Sequence, residues 1–270
     1  MSPSGSKKPL TILHTNDFHN RLTPEQYDSL HSLFTGLPEP RLLLDAGDAG
    51  GSTNVTFRIA GEPILDRMSD LGYSAMTVGN RDFHVSRLGL RSKLFRAQFP
   101  ILCANIRPSK VRLAGSEPSR DDPLADSLAR DEPAIRSHVV LEIDNWRVLV
   151  FGLTVPMVTE RMWERKLSAY IFDPPLRTAE RILPGLIERE KPDLTIALTH
   201  IGLRLDRELA ATNLGVDLII GGHSHETLPE GERMGDSLIV QAGSHGRYAG
   251  IVEAQLADGR PMLKARIATL

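Results

Sequence analysis

Short apolar runs bounded by glycine, proline or aspartate recur along this chain of 270 residues, and they limit the folds open to it. Nine such runs lie at residues 9–15, 41–47, 75–80, 100–105, 138–143, 147–153, 194–200, 216–222 and 237–243. Runs of this length with these boundaries are typical of buried or half-buried strands. The sequence therefore predicts a core built mainly from short strands.

Segments with helical periodicity separate several of the predicted strands. Residues 62–72 and 174–191 show it, and Pro184 is expected to kink the second of these helices. Strands that alternate with helices indicate an α/β fold. Residues 138–153 read instead as a hairpin, and residues 260–270 as a last strand. We therefore expect mixed sheets rather than one purely parallel sheet.

The composition excludes several classes of partner and site. Lysine and arginine total 32 against 34 aspartates and glutamates, so the net charge is −2. This balance supplies no basic field for neutralising many phosphates, and a nucleic acid polymer is not expected as a partner. Cys103 is the single cysteine, which excludes an intrachain disulfide and a cysteine-rich zinc site.

Targeting segments and linkers give no signal either. The N-terminal residues lack the apolar core of a secretory signal, and no stretch approaches the roughly 20 apolar residues that span a bilayer. We therefore expect a cytoplasmic protein without a membrane partner. Residues 1–270 are expected to form a single domain. Residues 107–134 are polar, proline-rich and aperiodic, which predicts a surface loop, with a lid over the site as the alternative.

Side chains that can bind a metal follow strand after predicted strand. They are Asp17, His19, Asp48, Asn80, His200, His223 and His225. Because ligands of open α/β sheets bind at the carboxyl ends of the strands, we expect these seven donors to lie together. Carboxylate, amide and imidazole donors suit ions such as manganese, iron or zinc. Seven donors exceed what one tetrahedral ion needs, so the pattern favours a centre of two ions that share a carboxylate.

The order Asp-x-His, Gly-Asp, Gly-Asn, Thr-His, Gly-His-x-His resembles the calcineurin-like metallophosphoesterase superfamily. The segments ILHTNDFHNRL, LLLDAGD, TVGN, ALTHIGL, DLIIGGHSH and QAGSHGRYAG resemble its branch of 5′-nucleotidases and cyclic-nucleotide phosphodiesterases. The likeness runs from about residue 9 to about residue 256. It implies a four-layer sandwich of two mixed sheets flanked by helices.

The resemblance also implies a dinuclear centre and its chemistry. Its ligands would be Asp17, His19 and His225 for one divalent ion, Asn80, His200 and His223 for the other, and Asp48 as the catalytic bridge. The ions would be drawn from Mn, Fe, Zn, Co and Ni, with Mn favoured. In this family two cations activate a water for attack on phosphorus and neutralise the phosphoryl oxygens.

Residues 79–84 depart from the family pattern. The family reads Gly-Asn-His-Glu-Phe-Asp, and this chain reads Gly-Asn-Arg-Asp-Phe-His. The family histidine contacts the phosphoryl group and assists the leaving oxygen, and the family aspartate orients it. Arg81 and His84 stand in those two places. An arginine stays protonated, so Arg81 can hold a phosphate oxygen but cannot protonate a leaving group.

Two hypotheses follow from this departure. In the first, Arg81 clamps the phosphate, and either His84 takes over proton transfer or the leaving group needs little help. In the second, Arg81 pairs with Asp82 or another carboxylate, and the site is slow or inactive. Asn80 is expected to contact substrate as well, and His245 and Arg247 are substrate-binding candidates in a loop that the family places near the metals.

The leading prediction is a metal-dependent phosphoesterase acting on a small phosphorylated molecule, probably a nucleotide. Family 5′-nucleotidases carry a C-terminal domain that binds the nucleobase, and we expect none here, so nucleotide specificity is not simply inherited. The alternatives are a phosphodiesterase for cyclic nucleotides or other diesters, and a catalytically weak regulatory protein that binds metals. The sequence leaves the oligomeric state open.

Overall fold

Two six-stranded sheets form the centre of the molecule, which we describe from a computed structural model over residues 7–109 and 135–270. In spatial order the first sheet consists of β14 (Arg260–Thr269), β13 (Tyr248–Ala257), β1 (Leu10–Thr15), β2 (Arg41–Asp45), β3 (Ala75–Thr77) and β4 (Ile101–Leu102). The strands β1 to β4 run parallel, whereas β13 is antiparallel to both β1 and β14. The first sheet is therefore mixed, as the sequence predicts.

The second sheet is mixed in the same way. In spatial order it consists of β11 (Glu232–Met234), β12 (Ser237–Val240), β10 (Leu218–Gly221), β9 (Leu194–His200), β7 (Trp146–Thr154) and β6 (His138–Ile143). Its four inner strands are parallel, and both edge strands are antiparallel to their neighbours. A separate antiparallel pair joins β5 (Ile106–Pro108) to β8 (Tyr170–Phe172).

Five α-helices are found in the described part of the chain. They are α1 (Pro24–Gly36), α2 (Pro63–Asp70), α3 (Arg87–Leu94), α4 (Pro175–Glu190) and α5 (Leu203–Ala211), and a 3-10 helix covers Trp163–Lys166. Local sequence explains where α1 begins, because Thr23 and Gln26 form a reciprocal capping box. Pro184 lies inside α4, and the kink expected there stays a prediction. Among the described residues, no helix is long and apolar enough to cross a membrane.

Alternating side chains on the strands build the layers. In β1, Ile12 packs between the two sheets and Leu13 packs on the side of α1 and α2. In β7, Val148 packs between the sheets and Leu149 packs towards α4 and α5. The order of layers is therefore helices, sheet, sheet, helices. The expected four-layer sandwich is confirmed.

Two details of the sequence prediction fare differently. The hairpin of β6 and β7 forms as expected, with Ile143 opposite Trp146 and Asp144 at a positive φ of 51° in the turn. The predicted surface loop starts too early, because Arg107 and Pro108 belong to β5 and pair with β8. Its residues 110–134 lie outside the described residues. The sequence reading also missed β13, which forms a ten-residue ladder with β14.

A histidine fills the core of the first sheet. His14 lies in β1 opposite Gly250 and is 1% exposed. A Cβ on Gly250 would lie 1.9 Å from His14 Nε2, so the imidazole occupies space that only glycine leaves open. Burial lowers the pKa of His14 to about 3, and the ring is therefore neutral in the folded protein. His14 is thus a residue of the core.

We expect His14 to make folding sensitive to acid. The unfolded chain takes up a proton near pH 6.5 and the folded chain only near pH 3, so stability is lost as the pH falls through this window. The loss is about 1.4 kcal/mol per pH unit. His14→Phe should flatten the change in the free energy of unfolding, measured by urea titration at pH 7.5 and 5.5. The exposed His31→Phe serves as control, and equal slopes for wild type and His14→Phe would contradict the assignment.

Candidate active site

The loops that follow the parallel strands of both sheets meet at one edge of the sandwich. Asp17 and His19 follow β1, Asp48 follows β2, and Asn80 follows β3. From the second sheet come the last residue of β9, His200, and the loop after β10 with His223 and His225. The structure therefore brings all seven predicted metal-binding side chains into one cluster, as the distances below show.

The first half of the cluster contains Asp17, His19 and His225. The Oδ1 atom of Asp17 lies 3.2 Å from Nε2 of His225 and 3.6 Å from Nε2 of His19. The two imidazole nitrogens are 3.1 Å apart. Each of these three side chains offers one ligand atom, and the three atoms lie within 4.8 Å of one another, close enough to share a metal ion. Asp17 Oδ1 is fully buried and has no hydrogen-bond partner in the described part of the chain, which leaves its lone pairs for a cation.

The second half contains Asn80, His200 and His223. The Oδ1 atom of Asn80 lies 3.2 Å from His200 Nε2 and 2.9 Å from His223 Nδ1. His200 is fully buried, and its Nδ1 lies 2.8 Å from the carbonyl oxygen of Ala46. A proton on Nδ1 donated to that carbonyl leaves Nε2 with a free lone pair that faces the cluster.

Asp48 joins the two halves. Its Oδ2 lies 3.4 Å from His200 Nε2 and 3.9 Å from His19 Nε2. Burial opposes protonation of His200, yet Asp48 and then Asp17 raise the pKa of this histidine to about 9. The cluster therefore has a strongly negative potential, which is what divalent cations require. Its donors fit such ions, since neither buried carboxylate forms an ion pair with a lysine or arginine among residues 7–109 and 135–270.

The backbone around the cluster is held in rarely used conformations. The φ angle is positive at Asp17 (55°), His19 (50°), Asp48 (56°), His223 (76°) and His225 (57°). Such angles in residues other than glycine occur where the surroundings enforce them, often at functional sites. At Asp48 the surroundings are tightly packed, because a Cβ on Gly79 would lie 2.2 Å from the backbone nitrogen of Asp48.

Asp82 fixes the loop that carries Asp48. Its Oδ2 accepts hydrogen bonds from the backbone N–H groups of Asp48 at 2.7 Å and Gly79 at 2.9 Å, and its Oδ1 accepts one from Gly50 at 2.9 Å. Burial, and then the charge of Asp48, raise the pKa of Asp82 to about 6. The carboxylate is thus occupied by backbone donors. The alternative hypothesis requires an ion pair between Asp82 and Arg81. No such pair is found among the described residues.

Arg81 itself is free to meet a ligand. Its side chain is exposed and makes no ion pair with any residue of the described ranges. Its backbone N–H donates to Asp48 Oδ1 at 2.6 Å, which ties the residue directly to the bridging carboxylate. The backbone position from which the Arg81 side chain extends is therefore fixed, next to Asn80.

His84 does not join the cluster. Its Nδ1 lies 3.0 Å from the backbone nitrogen of Ser86, and its ring meets Phe57 edge-on with centroids 4.6 Å apart. A Cβ on Gly89 would lie 2.0 Å from Nδ1, so the ring is packed against the start of α3. None of its contacts in the described structure reaches a donor of the cluster. Proton transfer by His84 stays a prediction, without support from these contacts.

His245 lies beside the first half of the cluster, as predicted. Its ring centroid is 5.3 Å from that of His19 and 5.9 Å from that of His225. Arg247 is exposed and lies two residues further along the same loop. Burial, and then the positive charge of Arg21, lower the pKa of His245. Arg21 is therefore a neighbour that the sequence analysis missed.

Sequence reasoning also missed a buried lysine. Lys93 lies on α3 with no exposed surface, and its Nζ donates to the carbonyl oxygens of Thr53 (2.9 Å), Arg81 (2.7 Å) and Phe83 (2.8 Å). Burial lowers the pKa of Lys93 to about 8. In sequence it looks like an ordinary surface residue of a basic helix, and the only hint is its place between Leu90 and Leu94 on the apolar face.

Glu62 was missed for a similar reason. Its buried carboxylate accepts hydrogen bonds from Asn20 Nδ2 at 2.9 Å and from Ser52 Oγ at 2.7 Å. Asn20 directly follows His19, so Glu62 anchors the turn that presents this ligand candidate. Its position before Pro63 suggests only a helix start.

This arrangement defines an α/β protein of two mixed sheets with a candidate dinuclear metal site at one sheet edge. The chain belongs to the calcineurin-like phosphoesterase family, whose model matches residues 10–227. The family expected from the motifs is thereby confirmed.

Two relatives of this chain have names that refer to nucleotides. The trifunctional nucleotide phosphoesterase protein YfkN of Bacillus subtilis (strain 168) is 31% identical over 268 residues, which cover 90% of this chain and 18% of that protein. The 5′-nucleotidase of Vibrio vulnificus (strain CMCP6) is 26% identical, over 93% of this chain and 49% of its own. The chain thus spans half or less of the length of these two relatives.

Solved structures agree on the fold. A 5′-nucleotidase precursor from Thermus thermophilus has a TM-score of 0.73 and 24% identity, covering 97% of this chain and 55% of that one. YfkN from Bacillus subtilis has a TM-score of 0.68 and 22% identity, covering 97% of this chain and 90% of the solved one.

We predict that Lys93→Met destabilises the protein. The change leaves three carbonyl oxygens without their donor, which should cost roughly 2–3 kcal/mol in the free energy of unfolding. Urea titration at pH 7 measures it, with the exposed Lys264→Met as control. If both variants unfold at the wild-type urea concentration, the three hydrogen bonds do not hold the loops together.

Proposed function

We propose that this chain hydrolyses phosphate esters of nucleotides with the help of two divalent cations. The observation that carries the proposal is the position of Asp48 Oδ2, which faces His200 Nε2 at 3.4 Å and His19 Nε2 at 3.9 Å. One carboxylate between two groups of O and N donors is the arrangement that a dinuclear centre uses. The unpartnered Oδ1 of the buried Asp17 adds to this support.

The residues divide between two cations as follows. One cation would be held by Asp17, His19 and His225, the other by Asn80, His200 and His223, with Asp48 shared. When bound, the pair would supply Lewis-acid charge for the phosphoryl oxygens and a water of lowered pKa for attack on phosphorus. Mixed carboxylate, amide and imidazole donors suit Mn, Fe, Zn, Co or Ni, and we favour Mn.

The chain's own side chains would position the substrate. Asn80 offers an amide near the phosphoryl group, and Arg81 offers a planar pair of N–H donors that matches two phosphate oxygens. Arg81 is fixed through its backbone, since its N–H donates to Asp48. His245 and Arg247 would complete the contacts on the opposite side, next to His19.

Nucleotides are proposed as substrates because relatives across 90% and 93% of this chain carry the names nucleotide phosphoesterase and 5′-nucleotidase. The match covers 18% and 49% of those two relatives, so their names support the substrate class, whereas the chemistry is argued from the catalytic edge of the sandwich.

A second candidate is the hydrolysis of diesters or other substrates with weakly basic leaving groups. Arg81 occupies the place of the acid, and the contacts of His84 do not reach the cluster. A leaving group of low basicity departs without a proton, so it would tolerate this arrangement. This observation favours such substrates over simple alkyl monoesters.

Cation binding should stabilise the folded protein. With chelator-treated protein, Mn²⁺ at a hundred times its dissociation constant should add about 2.7 kcal/mol to the free energy of unfolding. Differential scanning calorimetry would record the rise in Tm. Asp17→Asn and Asp48→Asn should reduce or abolish the rise, and His31→Asn should keep it. An unchanged rise in Asp48→Asn would rule out the shared carboxylate.

Rates of ester hydrolysis test the role of Arg81. We expect Arg81→Ala to lower kcat/KM for p-nitrophenyl phosphate about tenfold or more, the effect of one charge-assisted contact. Arg81→His should raise turnover of AMP, whose alkoxide leaving group needs a proton, more than that of bis-p-nitrophenyl phosphate. His84→Ala serves as the comparison. If none of the three variants alters turnover of any substrate, the clamp is refuted.

A further inference from the structure

The loop that carries His223 and His225 is held by a residue that follows β12. This residue is Gln241, and only 1% of its surface is exposed. Its Oε1 accepts hydrogen bonds from the hydroxyl of Ser224 at 3.0 Å and from the backbone N–H of Glu226 at 3.1 Å. These two donors are the chain neighbours of His225. Gln241 therefore fixes the backbone on both sides of this ligand candidate.

The direction of these hydrogen bonds makes Gln241 an acceptor. The backbone N–H of Glu226 can only donate, so the oxygen of the amide must face it. The hydroxyl of Ser224 accepts the backbone N–H of Leu203 at 3.1 Å and can therefore donate its own proton to the same oxygen. Gln241 Nε2 is buried and has no hydrogen-bond partner among the residues that the structure describes. The side chain thus acts on this loop through Oε1.

The segment that begins with Gln241 also reaches Asp17. The backbone N–H of Ala242 donates to Asn16 Oδ1 at 2.9 Å, and Asn16 Nδ2 donates to the carbonyl oxygen of Gly243 at 2.6 Å. Asn16 Nδ2 also donates to Asp17 Oδ2 at 2.8 Å. This bond occupies one carboxylate oxygen and leaves Oδ1 to face the other donors of the first half. The short segment after β12 therefore connects the two loops that supply the first half of the cluster.

His225 has little packing of its own to hold it. Its side chain is 40% exposed, and its φ is positive at 57°, a conformation that residues other than glycine rarely adopt. His223, on the other side of Ser224, has a separate support, because its backbone N–H donates to Asp17 Oδ2 at 3.0 Å. Loss of the acceptor oxygen of Gln241 should therefore displace His225 more than His223.

We propose that Gln241 is a positioning residue for one of the two cations, the cation that Asp17, His19 and His225 would hold. The proposal rests on the proposed function, because it assumes this division of donors between two cations. Replacing a residue that orients a metal ligand typically lowers the affinity for the metal about 10- to 100-fold. We expect a loss of this size for the cation of the first half and a smaller change for the cation of the second half.

Calorimetric titration of chelator-treated protein with Mn²⁺ tests the proposal. Gln241→Met keeps the size of the side chain and removes the acceptor, so it should lower the affinity for one cation about 10- to 100-fold. Ser224→Ala removes one donor at an exposed position, which spares the core, and it should weaken the same cation. Ser224→Thr keeps the hydroxyl and should restore the affinity. Gln255→Met, at an exposed position of β13, is the matched control.

Two ligand variants show which cation is affected. His225→Ala removes a donor of the first half and Asn80→Ala removes one of the second half, so each marks its own step of the titration. Gln241→Met should reproduce the isotherm of His225→Ala. Added to His225→Ala it should cause little further loss, because effects that act through one residue are not additive. Equal losses in both steps, or the same further loss in the His225→Ala background, would overturn the assignment.

The readout separates this proposal from the proposed function, because cation binding is measured without substrate. Loss of the first-half cation in Gln241→Met supports the positioning role even if no nucleotide is hydrolysed. If wild type binds a single cation that both Gln241→Met and His225→Ala weaken, the positioning of His225 is supported and only the second cation is refuted. Unchanged isotherms in Gln241→Met and Ser224→Ala, with nucleotide hydrolysis intact, would overturn the positioning role alone.

Discussion

The contact of Asp48 with His200 is the interaction on which the catalytic edge depends. Asp48 follows β2 of the first sheet and His200 ends β9 of the second, so their 3.4 Å approach joins the two halves of the sandwich. Ala46, two residues before Asp48, strengthens the junction through its carbonyl oxygen, 2.8 Å from His200 Nδ1. The other donors of the cluster lie around this pair. A shift between the sheets would therefore disrupt both halves of the metal site, because each half takes donors from both sheets.

Much of this could be predicted from the sequence, because strand ends and ligand types are local signals. The seven donors follow apolar runs directly, and the parallel strands bring them to one edge. The residues that orient them carry no local signal. Asp82, Glu62 and Lys93 act through hydrogen bonds to backbone or side-chain atoms of other loops, and only the folded chain shows these partners. Strand β13 was missed because its apolar pattern is interrupted on the solvent face.

No ion pair joins Arg81 to Asp82 in the described structure. Asp82 is buried while the Arg81 side chain is exposed, and three backbone N–H groups already surround the Asp82 carboxylate. Lys93 Nζ donates a hydrogen bond to the carbonyl oxygen of Arg81, and the backbone N–H of Arg81 donates one to Asp48 Oδ1. The backbone of Arg81 is thus constrained on both sides while its guanidinium stays exposed. This combination suits a side chain that must meet an external anion.

The buried carboxylates of the site are stabilised by imidazoles as long as no cation is bound. Asp17 and Asp48 are 0% and 2% exposed; burial disfavours the charge of Asp17, but the hydrogen bond from His19 and the charge of His200 outweigh burial and lower the pKa of Asp17. A proton on His200, whose pKa lies at about 9, competes with a cation for the same Nε2. Cation binding must therefore release this proton at neutral pH, and acid must weaken binding. Cations that bind the folded chain and not the unfolded one would stabilise the fold, which links the stability of the sandwich to the occupancy of its site.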